Sequence, residues 1–102
     1  MPVQLNEQFE VLGDELTMQQ AEAIKMAGYT LLERSEQSPV RIDFVQLERA
    51  NSVTVAVMLA WHRHATLRKK AVEFTNLSAE LGNIIEFSGL RELLLADHTA
   101  QP

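Results

Sequence analysis

Apolar and polar residues alternate most clearly near the middle of the chain. Val40, Ile42 and Phe44 are separated by single charged residues. This period of two predicts a β-strand with one buried face. Shorter segments rich in β-forming residues, at Phe9–Leu12 and Ala71–Phe74, predict two further strands.

A helical period follows the first predicted strand. Thr17, with Gln20 three residues later, forms a capping box in which each side chain satisfies a free backbone N–H. We predict a helix that begins after Thr17 and ends near Glu33. Its apolar face is formed by Ala21, Ile24, Ala27, Leu31 and Leu32.

The most apolar stretch, Val53–Trp61, fits a strand by composition and a helix by length. It is rich in β-branched residues, which favour a strand. However, no glycine or proline interrupts Ser52–Arg68, and a run of that length is too long for an ordinary strand. We therefore predict a buried helix, for which Asn51 and Ser52 are both suitable N-cap residues.

Two short helices are predicted in the last quarter of the chain. Ser78 is a suitable cap for a helix that ends near Gly89, and Leu90–Leu95 predicts a further turn or two. Leu47–Ser52 is predicted to be a loop that leads to a helix cap. Strands therefore alternate with helices, with a second short strand possible near the first, which is typical of an α/β domain with parallel pairing.

The composition limits the classes of function. The chain has 102 residues, a formal net charge of -5 and no cysteine. Net acidity opposes nucleic-acid binding, which depends on an excess of Lys and Arg, so we expect no nucleic-acid partner. No apolar run reaches the ~20 residues of a membrane-spanning helix, and the first residues do not form a signal peptide. We expect a cytoplasmic protein with no direct membrane span.

The chain offers few groups for catalysis. His62 and His64 are two residues apart on the predicted helix, where they point to different faces and do not favour a shared metal ion. Glu10, Asp14 and Glu15 are expected to form a solvated acidic turn. No nucleophile, acid–base pair or Gly-rich phosphate loop has an indicative spacing. We expect no catalytic residue, no cofactor and no metal.

Basic residues cluster at the end of the long predicted helix. Their positive charges can complement the helix dipole, or they can contact an acidic partner or lipid headgroups. These residues are Arg63, Arg68, Lys69 and Lys70. Trp61, at the end of the apolar run, is expected to be partly buried.

The order of these motifs resembles the STAS domain family. The family motif is Asp, Ser or Thr, Ser or Gly, then Gly, and it opens an apolar helix; residues 51–54 (Asn-Ser-Val-Thr) stand at the matching place. Residues 9–17 resemble the family's opening strand, turn and helix start, and residues 77–90 resemble its last helices. The likeness implies a single α/β STAS-like domain over residues 8–95, with a mixed, mostly parallel sheet, packed helices and terminal tails at residues 1–7 and 96–102.

Among STAS proteins, the short chain is most similar to the small subunits of Mla-type phospholipid ABC transporters of Gram-negative bacteria. This resemblance implies a non-enzymatic subunit that binds and supports the transporter's ATPase within an inner-membrane permease complex that maintains lipid asymmetry. The subunit would lie on the cytoplasmic side and bind through the N-terminal end and exposed flank of the helix predicted over residues 52–68. The alternative in the family is an anti-sigma factor antagonist regulated by phosphorylation.

The resemblance also implies the site. Ser52 occupies the position of the family's functional serine or threonine, and the expected partner-binding residues are Asn51, Ser52, Thr54 and Val55. Asn51 replaces an acidic residue, Val53 replaces the phosphorylatable serine of the anti-sigma factor antagonists, and Thr54 replaces a glycine. Ser52 and Thr54 are the remaining candidates for phosphorylation.

Overall fold

A computed structural model of the protein describes residues 2–95. Within them, the three longer strands and the helices follow one another in the predicted order. The elements are β1 (Gln4–Leu5), β2 (Val11–Glu15), α1 (Met18–Arg34), β3 (Val40–Asp43), β4 (Leu47–Arg49), α2 (Ser52–Leu67), β5 (Val72–Thr75), α3 (Ala79–Phe87) and α4 (Arg91–Leu94). The expected C-terminal tail, residues 96–102, lies outside the described residues.

The described strands form a mixed, mostly parallel sheet. β2 pairs with β4 and β3 pairs with β5, both in parallel. A parallel bridge between Glu10 and Asp43 joins the two pairs. β1 runs antiparallel to β2, with Gln4 opposite Leu12. Residues from the strands and the helices share one hydrophobic core, which confirms the expected α/β class.

The N-terminal segment joins the sheet, although the sequence predicts a tail over residues 1–7. β1 pairs with β2, and Val3 is buried beside it. Gly13 allows this close approach: its φ is +133°, and an added Cβ would lie 2.7 Å from Val3 Cα. A strand of two residues is held by backbone pairing and is too short to produce a side-chain period.

β4 lies where the sequence predicts only a loop. Leu47 is buried and the next two residues are exposed, so the apolar signal consists of one residue. β4 pairs with β2 through Gly13 opposite Leu47 and Glu15 opposite Arg49. This pairing brings the chain just after β4 beside the end of β2, and it thereby positions the start of α2.

Three helices begin at the same edge of the sheet. α1, α2 and α3 follow β2, β4 and β5, which are parallel, so their N-terminal ends lie near one another. Two of their caps are those the sequence predicts. Gln20 Oε1 accepts from the Thr17 N–H at 3.3 Å at the start of α1, and Ser78 Oγ accepts from the Leu81 N–H at 3.1 Å at the start of α3.

Helix α2 is the buried helix that the sequence predicts, and it packs against α1. Trp61 is more deeply buried than expected, with 1% of its surface exposed, and its ring N–H donates to the Lys25 carbonyl of α1 at 3.2 Å. Gly28 of α1 lies directly against the indole. The buried residues of α2 are Thr54, Val55, Val57, Met58, Trp61 and Ala65.

Candidate partner-binding site at the start of helix α2

Asn51 is the N-cap of α2. Its backbone is extended, and its Oδ1 accepts hydrogen bonds from the Thr54 N–H at 3.0 Å and from the Thr54 hydroxyl at 3.2 Å. The sequence analysis names both Asn51 and Ser52 as suitable caps, and the structure assigns the role to Asn51. Ser52 is therefore free of the capping role and becomes the first residue of the helix.

The Asn51 amide also ties α2 to the end of β2. Its Nδ2 donates to Glu15 Oε2 at 3.0 Å and to the Leu16 carbonyl at 2.9 Å. An aspartate, which the STAS motif has here, could cap the helix but could not donate either bond. Glu15 thus has a specific partner, whereas the sequence suggests a solvated acidic turn. Sequence spacing gives no signal for this contact, because β4 creates it.

A second carboxylate holds the segment before α2. Glu80, in the first turn of α3, accepts from the Ala50 N–H at 3.2 Å through its Oε1. The end of β2 therefore holds the Asn51 side chain, and the start of α3 holds the backbone of the preceding residue. The first turn of α2 contains no acidic residue of its own.

The structure separates the four residues expected to bind a partner. Ser52 is exposed and Asn51 is partly exposed. Thr54 and Val55 are only 2% and 3% exposed and face the core, so neither can contact a partner in this conformation. Burial and the bond to Asn51 also remove Thr54 as a candidate for phosphorylation. The Ser52 hydroxyl makes no hydrogen bond to any residue in the range 2–95.

The exposed flank of α2 continues from Ser52 with small and apolar residues. Ala56 is exposed one turn later, and Leu59 and Ala60 are partly exposed beyond it. The small side chains of Ala56 and Ala60 let another backbone or helix approach closely. At its start, the positive end of the helix dipole and the exposed serine hydroxyl suit a partner's carboxylate or carbonyl group.

The predicted basic cluster does not form one surface. Arg68 pairs with Glu33 of α1 at 3.1 Å. The Lys70 ammonium donates to three carbonyl groups at the end of α1, those of Leu32, Glu33 and Ser35. It therefore acts as a C-terminal cap for α1. Arg63 and Lys69 are exposed and have no side-chain partner among residues 2–95, whereas Arg68 is exposed but paired.

The two histidines face different surroundings, as their spacing predicts. The His64 ring stacks on Tyr29 of α1 with the ring centres 4.1 Å apart. Its Nε2 lies 3.1 Å from Glu33 Oε2 but makes no hydrogen bond within the described residues. His62 is partly exposed on another side of α2. Within the described residues, no group of three or more His, Asp or Glu side chains could hold a metal ion.

These features agree with those expected of a STAS domain: an α/β domain with a mixed sheet, in which a capped polar segment opens a buried helix. A family model described as "Mlab, STAS domain" matches residues 5–96, and the chain belongs to this family. None of the described helices is long and apolar enough to cross a membrane.

A solved structure gives a closer comparison. A chain of the "Acinetobacter MlaFEDB complex in ATP-bound Vtrans2 conformation" is 28% identical to this chain, with a TM-score of 0.72. The match covers 90% of this chain and 95% of that one. No curated protein gives a significant match. The protein is thus a STAS domain similar to a subunit of an Mla transporter complex.

Proposed function

We propose that the chain is a non-enzymatic subunit of a phospholipid ABC transporter of the Mla type and that it binds and supports the transporter's ATPase. The observation that carries this proposal is the match, over nearly the full length of both proteins, to a chain of the MlaFEDB complex. The protein would then lie on the cytoplasmic side of the inner membrane, held there by the complex. The protein would contribute to lipid asymmetry through its support of the transporter.

We place the main contact at the start of α2 and along its exposed flank, around Asn51, Ser52 and Ala56. Ser52 supports this choice because it is exposed, unbonded within residues 2–95 and located at the positive end of a helix. Glu15 holds the Asn51 side chain and Glu80 holds the Ala50 backbone, so little ordering is needed on binding. The domain would act as a rigid brace, which favours one ATPase conformation only as far as it binds that conformation more tightly.

Copurification with the ATPase tests this contact. In Ser52→Arg, a long charged side chain replaces the exposed hydroxyl, and we expect binding to fall about tenfold or more while the thermal unfolding curve stays unchanged. Thr30→Arg is the matched control, because Thr30 is also an exposed hydroxyl residue on a helix, but on α1. If Ser52→Arg retains the full affinity of the natural chain, the contact lies elsewhere.

The alternative, an anti-sigma factor antagonist, depends on a phosphorylatable hydroxyl at the same helix end. Val53 stands at the family's usual position, and Thr54 is buried, so Ser52 is the candidate that remains accessible. Incubation with a kinase encoded beside the protein, followed by mass spectrometry, tests this function. Phosphate on Ser52 together with release of an anti-sigma factor would favour the alternative over the transporter subunit.

A further inference from the structure

An open apolar groove lies between the C-terminal half of α2 and the short helix α4. Its volume is about 370 Å³, and it is lined by Leu59, His62, Arg63, Thr66, Leu67 and Leu93. Leu67 is 80% exposed and Leu93 is 48% exposed. Exposed leucines grouped in this way suit contact with an apolar surface of another molecule.

The charges around this groove indicate the chemistry of that molecule. The chain is acidic overall, yet α2 contains no aspartate or glutamate. Arg63 is exposed at the groove and forms no ion pair with another residue in the range 2–95. By contrast, the guanidinium of Arg91, at the start of α4, is already paired with Glu86 at 3.0 Å. The groove therefore offers an apolar floor and a cation that has no ion-pair partner among residues 2–95.

We propose that this groove binds an amphipathic helix of a partner protein, with apolar residues facing the leucines and a carboxylate facing Arg63. A helix that presents apolar residues at i, i+3, i+4 and i+7 suits an apolar groove of this kind. The groove is too open to enclose a small ligand, since ligand pockets bury most of the surface of the molecule they hold. A carboxylate beside Arg63 would add a charge-assisted hydrogen bond and fix the register of the helix.

The inference deepens the proposed function, because the transporter complex is the expected source of the helix. The groove shares Leu59 with the exposed flank of α2, but its other lining residues lie beyond the first contact. Ser52 and Leu67 are at opposite ends of α2, about 22 Å apart along the helix axis at 1.5 Å per residue. Variants at the two ends therefore test the two proposals independently.

Crosslinking from single cysteines identifies what covers the groove. Because the natural chain has no cysteine, Leu67→Cys and Leu93→Cys each introduce one thiol. Each variant replaces the natural chain in the cells that produce it, and isolated membranes are treated with a thiol-directed photocrosslinker. Met26→Cys is the matched control, since Met26 is an apolar residue that is 51% exposed on α1.

We expect both groove cysteines to yield the same adduct, a partner peptide with apolar residues at helical spacing and flanking carboxylates, and Met26→Cys to yield none of it. Adding Arg63→Glu should reduce the yield about tenfold, while the exposed Arg34→Glu on α1 should leave it unchanged. The proposal is overturned if the groove cysteines give no adduct, or adducts only with lipid, with a second copy of this chain or with a peptide lacking carboxylates. It is also overturned if Arg63→Glu has no effect.

The two proposals fail in different ways. If Ser52→Arg leaves the ATPase bound but the groove adduct is found, the contact at the start of α2 is wrong and the groove proposal stands. If Ser52→Arg releases the ATPase but the groove gives no such adduct in the unmodified complex, the groove proposal fails and the proposed function stands.

Discussion

The replacement of Gly28 by alanine tests the packing that fixes α2 against α1. An alanine Cβ would lie 2.0 Å from Trp61 Nε1 and 2.4 Å from Cε2, well inside van der Waals contact. The indole cannot turn aside into free space, because Trp61 is 1% exposed and is held by its bond to the Lys25 carbonyl. Either the ring or the helix must move.

The expected cost follows from three contributions. Overpacking a well-filled core destabilises by about 1–3 kcal/mol. Displacing the indole weakens its hydrogen bond, which contributes on the order of 1 kcal/mol. Alanine favours a helix over glycine by about 1 kcal/mol, which acts in the opposite direction. We therefore expect Gly28→Ala to lower the free energy of unfolding by about 2 kcal/mol, and the melting temperature by roughly 10 °C for a domain of this size.

Urea denaturation followed by fluorescence measures this effect directly, because Trp61 is the only tryptophan in the chain. Gly82→Ala is the matched control: Gly82 is also in a helix, and an added Cβ there meets nothing within 4 Å. The control should gain about 0.5–1 kcal/mol from helix propensity alone. If Gly28→Ala is as stable as Gly82→Ala, the contact between Gly28 and Trp61 does not hold the two helices at the distance described.

Two further changes test the contacts around the site by the same denaturation assay. Lys70→Met removes the ammonium that caps α1 and should lower the free energy of unfolding by about 1–3 kcal/mol. Replacing the exposed Lys69 by alanine should change it by less than about 0.5 kcal/mol. If the two variants are equally stable, Lys70 does not cap α1. Asn51→Asp removes two donors and places a carboxylate beside Glu15, which should cost about 1 kcal/mol. Glu15→Gln should restore part of that loss. If a double-mutant cycle of Asn51→Asp and Glu15→Gln shows no coupling energy, the contact between Asn51 and Glu15 is contradicted.

The sequence was sufficient for the elements that carry a long or clean side-chain pattern. The alternation at Val40–Phe44 and the uninterrupted run at Ser52–Arg68 predict β3 and α2, and local chemistry at Thr17 and Ser78 predicts two helix starts. In each case the signal lies in neighbouring residues and does not depend on the rest of the chain.

The parts that could not be predicted depend on contacts between distant residues. β1 and β4 are too short for a period and are defined by pairing with β2. Burial of Thr54 and Val55 follows from the rotation of α2 about its axis, which packing against α1 and the sheet decides. The bond between Asn51 and Glu15 joins residues far apart in sequence, and no local rule connects them.

At the start of α2, the residues that depart from the family motif interact with one another. Asn51 can both cap the helix and donate to Glu15 and Leu16, which an aspartate cannot do. The Thr54 side chain, where the motif has glycine, turns into the core, and its hydroxyl donates to Asn51. These bonds hold the first turn in one arrangement, and the residue at the usual phosphorylation position is Val53. A helix start that is locked in this way suits a permanent brace on a partner better than a switch that a phosphate must reverse.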